Sequence, residues 1–150
     1  MILWHDINCH DRILNWREWR RSISTLPPEA CVNAIADAWA RAPQVNHYLS
    51  PDIPEDWPDP WQLINDNIYC DLGIALGMFY TVALLDRKDL DNVRLDIHNI
   101  DDNWVNLCSI DSGFYVLNWS PHSVLNTSTV PLRNHPTFTY SKLDLTSKLH

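Results

Sequence analysis

The stretch Trp57–Leu85, WPDPWQLINDNIYCDLGIALGMFYTVALL, decides the fold of this chain. From Tyr69 onward apolar side chains occupy every side of a helical wheel, so the spacing predicts a helix enclosed by other elements. At about 14 residues the run Leu72–Leu85 is too short to span a bilayer and fits a buried core helix. Gly73 and Gly77, four apart, leave a smooth stripe where a neighbour can come close. Cys70 stands at the N-terminal mouth of this helix, beside the positive end of the dipole, a position that lowers a thiol's pKa and favours the nucleophilic thiolate. Cys70 is therefore a candidate active-site thiol, to be weighed against a small buried core residue, since free cysteine is among the most buried types.

Upstream, DRILNWREWRRSI from Asp11 sets Ile13, Trp16, Trp19 and Ile23 at helical intervals, with Arg12, Arg17, Arg20 and Arg21 elsewhere around the cylinder. Pro27 and Pro28 end the following segment and open a second helix, where Pro is tolerated in the first turn and Glu29 suits the dipole. Cys31, Val32, Ile35, Ala38 and Trp39 share its apolar face, and Pro43 closes it. Five prolines between 43 and 60 make a rigid loop, with Trp57 and Trp61 expected to pin it to the body and PWQLI to start a short helical turn. Downstream the period changes to two. Val93, Leu95 and Ile97 alternate with Arg94, Asp96 and His98, a half-buried strand whose His98 face is expected to meet solvent. Trp104–Ile110 and Phe114–Trp119 form two more strands around the turn at Asp111, Ser112 and Gly113. The expected fold class is α+β: N-terminal helices and a central buried helix packed on a small antiparallel sheet. Residues 1–118 are expected to form one globular domain. Residues 119–150, with one strand at Thr137–Tyr140, form an extended tail over the body or a neighbouring subunit.

Composition narrows the function classes. The chain has 150 residues and a formal net charge of −8, which argues against nucleic acid, whose binding needs clustered Lys and Arg. Residues 1–118 hold 18 acids against 8 Lys and Arg, while 119–150 hold 1 against 3, so a mildly basic tail faces an acidic body. Cys9, Cys31, Cys70 and Cys108 lie scattered, and the N-terminus lacks a secretion signal, so reduced thiols and a cytoplasmic location are expected. Asn118 and Asn126 match the glycosylation spelling, which carries no weight without such a signal. His5, Cys9 and His10 are candidate zinc ligands that need a fourth, Asp6 or Asp11, and surface polar residues are the simpler reading. Asp86, Asp89, Asp91, Asp101 and Asp102 lack the order and closing Glu of a calcium loop. With three glycines there is no phosphate-cradling loop. No cofactor, metal, nucleic acid or membrane is implied.

A helix opened by a cysteine and followed by three strands resembles the core of the transglutaminase-like and papain-like cysteine enzymes, over residues ~57–120. IYCDLGIALGMFYTVALL is similar to the Cys helix, DNWVNLCSI to the His strand and GFYVLNWSP to the strand that ends in the third member. The resemblance implies Cys70 as nucleophile and Asn118 as the orienting residue. It sets Asn103 or Asp102 where the family has its histidine, and neither is an imidazole base. His98, His122 and His135 are the remaining bases to weigh. The small, acidic, Trp- and Asn-rich chain also resembles short proteins of T4-like tailed phages, which implies a virion location. The expected function is a non-catalytic interaction or structural protein on a degenerate scaffold, a subunit of a homo-oligomer or larger assembly such as a phage particle. The alternative is a cysteine-dependent acyl-transfer enzyme using Cys70, His98 and Asn118.

Overall fold

The computed structural model describes Trp4, residues 8–132 and residues 134–150. Helix α1 spans Cys9–Ile23, where the Asn8 side chain accepts from the Asp11 amide and caps the first turn. Helix α2, Pro28–Trp39, begins with its proline inside the first turn. Helix α3, Pro60–Asp66, carries a capping box between Asp59 and Gln62. Helix α4, Asp71–Leu85, is the enclosed one: Leu72 through Ala83 are all buried.

Five antiparallel strands follow, β1 Arg94–Ile100, β2 Asn103–Ile110, β3 Tyr115–Leu117, β4 Val124–Leu125 and β5 Phe138–Ser141. Their order is β4-β3-β2-β1-β5. Left-handed backbone at Asp101 and Asp102 turns β1 into β2, the geometry that suits a two-residue hairpin. A second left-handed run at Asp111, Ser112 and Gly113 turns β2 into β3. The architecture is α+β, as the element order implies. Residues 119–150 supply both edge strands, and Leu145 of this segment is buried in the core.

The register puts Leu95 opposite Cys108, Ile97 opposite Asn106 and Cys108 opposite Leu117. These residues share the face on which α4 packs. Beneath α4, Trp16 and Trp39 donate their indole N–H groups to the Thr81 hydroxyl at 3.4 and 3.1 Å, and that hydroxyl donates to the Gly77 carbonyl at 2.8 Å. Gly77 lets Trp39 sit against the helix backbone: a Cβ there would lie 2.2 Å from the indole ring.

Two expectations change. Arg12 is buried, because its guanidinium turns inward to donate to the carbonyls of Ile64 and Asn65 at 2.8 and 3.0 Å, in the last turn of α3. Trp57 pins the Pro-rich loop, its indole donating to the Ser50 carbonyl at 2.8 Å. Trp61 does not: it is 37% exposed, since α3 turns that side outward. Among the described residues no helix is long and apolar enough to cross a membrane.

Candidate functional site

The mouth of α4 is built from three chain segments. A parallel bridge joins Gln44 to Tyr69, and the Val45 amide donates to the Tyr69 carbonyl at 2.9 Å, which fixes the approach to the helix. Cys70 is the N-cap residue, with extended backbone and no capping hydrogen bond from its side chain. The thiol is fully buried. Its Sγ lies 3.8 Å from the point a Cβ on Gly73 would occupy, where Leu49 also packs. Burial, then Cys70 and Asp66, push the Tyr48 phenol up to about 12. Among the described residues its sulfur has no hydrogen-bond partner.

The next residue, Asp71, faces the sheet. Its carboxylate accepts from the Asn106 amide at 2.8 Å and from the Asn118 amide at 3.3 Å. The Asn118 amide also donates to the Asn106 carbonyl at 2.9 Å. Asn118 makes this reach because its left-handed backbone, φ 73°, turns the chain as it leaves β3. Asn106 is buried, and its side-chain oxygen has no partner among the described residues.

The histidines lie elsewhere. His98 stands on the face opposite α4, as alternation requires, yet it is only 7% exposed. The segment around Thr127, Leu132 and His135 covers it and borders a half-open cavity of about 200 Å³. Burial lowers its pKa, against a smaller opposing pull from Asp96. His98 is thus hidden from solvent, contrary to expectation, and the sheet separates it from Cys70. His135 lines the same cavity, and His122 Nδ1 lies 2.9 Å from Asp37 Oδ1 on α2.

The structure brings together α4, β2 and the end of β3, but with Asp71, Asn106 and Asn118. Asn118 reaches the site from the end of β3. Asn103 is exposed at the start of β2 and Asp102 lies in the turn before it, whereas Asn106 is the β2 residue that meets Asp71. Its signal was in the sequence, since stepping back by twos from Ile110 and Cys108 leads to a polar residue on a core-facing position. The set is a carboxylate with two amides, which accepts and donates hydrogen bonds and includes neither a thiol nor an imidazole.

His5 lies outside the described residues. Cys9 and His10 are exposed at the start of α1, and among the described residues no three His, Cys, Asp or Glu side chains are placed to hold a metal. Beside the mouth opens a cleft of about 470 Å³ lined by Tyr48, Glu55, Asp56, Trp57, Asp66 and Lys148, among others.

No family model matches the chain, and no curated protein matches it. Among solved structures, Legionella pneumophila LapG matches at a TM-score of 0.71 and 14% identity, over 89% of this chain and 75% of that one. LapG is a transglutaminase-like cysteine protease. The likeness is one of fold, and it supports the transglutaminase-like architecture for this α+β domain.

Proposed function

We propose that this chain is a non-catalytic protein-interaction module on a transglutaminase-like scaffold. The observation that supports the reading is the Asp71–Asn106–Asn118 set, which fills the corner between α4, β2 and β3 with a carboxylate and two amides and no imidazole. Cys70 supports the same reading. A nucleophile must reach its base and its substrate at hydrogen-bond distance, whereas this thiol is buried under the Pro-rich loop without a partner. Membership of a larger assembly, a phage particle among them, extends this reading and rests on composition alone.

The test is electrophile labelling of the native protein with iodoacetamide at neutral pH, read by peptide mass spectrometry. Exposed Cys9 is expected to label, and Cys70 only after unfolding. Native labelling of Cys70, together with a peptidase activity lost in Cys70→Ser, would establish the acyl-transfer enzyme instead.

A further inference from the structure

We propose that the cleft beside the α4 mouth binds an extended, lysine- or arginine-bearing segment of a protein partner. This rests on the interaction reading above and supplies the chemistry of the partner. Residues 42–86 contain seven acidic residues and neither Lys nor Arg. Three of the seven, Glu55, Asp56 and Asp66, line the cleft, whose volume of about 470 Å³ accommodates a side chain with its flanking backbone. Charge alone would describe a solvated face, but this cleft also carries an aromatic side chain. Tyr48 lines it and is 44% exposed, and its hydroxyl is fixed by donating to the Ile68 carbonyl at 2.9 Å. An aromatic ring beside carboxylates suits the long methylene stem and cationic head of lysine or arginine.

The chain itself shows how such a head is received. Lys148, from the basic C-terminal segment, extends its Nζ into the cleft and donates to the carbonyls of Trp57 and Glu55 at 2.6 and 3.0 Å. Its ammonium is held by backbone oxygens, so the carboxylates of Glu55, Asp56 and Asp66 remain free of that contact. A partner's cation has two places to bind: these carboxylates, and the carbonyls once Lys148 withdraws. The C-terminal lysine therefore competes with the partner.

The experiment is fluorescence anisotropy with a fluorescein-labelled decapeptide of alternating Lys and Ala, its Glu and Ala counterpart serving as control. The lysine peptide is expected to bind and the glutamate peptide not to. Glu55→Gln, Asp56→Asn and Asp66→Asn together are expected to weaken binding about tenfold. A control triple, Asp101→Asn, Asp102→Asn and Asp111→Asn, removes the same charge at hairpin turns where Asn keeps the left-handed backbone, and should change binding less than about twofold. Lys148→Ala should tighten it about threefold. Equal weakening by both triples would reduce the effect to bulk attraction and overturn the cleft, as would failure of the peptide to bind the folded protein. An unbound, intact peptide leaves the non-catalytic reading standing. A peptide that binds in the cleft and is cut in a Cys70-dependent way retains the cleft and overturns that reading.

Discussion

At Gly77 one missing Cβ sets the distance between α2 and α4. The ring of Trp39 occupies the space that a methyl group would need, 2.2 to 2.5 Å from it, and Trp39 is held there by its bond to Thr81. Gly77→Ala is expected to destabilise the protein by about 1–3 kcal/mol in urea unfolding, because overpacking outweighs the better helix propensity of Ala. Gly73 is the contrast. A Cβ there meets Tyr69, Cys70 and Leu49 at 3.7 to 3.9 Å, ordinary contact, so Gly73→Ala should be neutral or stabilising by up to about 1 kcal/mol. A Gly73→Ala variant as unstable as Gly77→Ala would remove steric closeness as the explanation.

Asp71 makes a second residue-scale case. Its carboxylate lies in the first turn of α4, complements the dipole, and gives the buried Asn106 amide its partner. Asp71→Ala should cost about 1–3 kcal/mol, mostly through the unpaired amide. In the double variant with Asn106→Leu the loss should shrink, which a double-mutant cycle in urea measures. Cys70 and Asp71 are neighbours, yet Cys70 is the extended N-cap residue and Asp71 the first residue of the helix, so the two side chains part. The thiol packs beside Leu49 and the carboxylate meets the sheet. The sequence displayed both residues at the helix mouth, but the direction in which the mouth faces depends on how α4 lies across the sheet.

At the scale of elements, the sheet has two covered faces. One packs on α4; the other carries Arg94, Asp96 and His98 beneath the segment near Thr127 and His135. Burial holds the His98 pKa below the ordinary imidazole value. As pH falls, the unfolded chain takes up the proton first, so stability is full above about 6.5 and declines from there through the lower folded value. The urea midpoint should therefore drop between pH 7 and pH 5.5, a range above most carboxylate titration, and the drop should be smaller in His98→Gln. An identical drop in both proteins would assign the effect to other groups. Alternation correctly placed His98 on the face away from Leu95 and Ile97. Its burial was not legible, because the cover arrives from residues some 30 positions later, in a segment without marked periodicity.

For the molecule as a whole, the segment after β3 completes the fold. It adds β4 beside β3 and β5 beside β1, and the Tyr140 hydroxyl donates to the Pro51 carbonyl at 2.7 Å, fastening it to the Pro-rich loop. Leu145 is 2% exposed. Leu145→Ala is expected to lower stability by about 2–5 kcal/mol, the range for emptying a packed site. A loss near zero by calorimetry or urea titration would mean that this segment detaches without disturbing the core.

What the sequence by itself determined is the local part: a helix apolar on all sides, a strand of period two at 93–98, a hairpin at Asp111–Gly113, and hence an α+β domain. These follow from neighbours within a few residues, whose spacing sets which side chains share a face. The tertiary structure alone decided which residues meet across elements. It turned Arg12 inward onto α3, left Trp61 outside, buried His98 under a distant segment, and joined Asp71 to Asn106 and Asn118. The physical reason is that periodicity fixes a face but leaves free the rotation of a helix and its position over a sheet. Here those were set by the fit of Trp39 into Gly77 and by the strand register that brings Asn106 beneath the helix mouth.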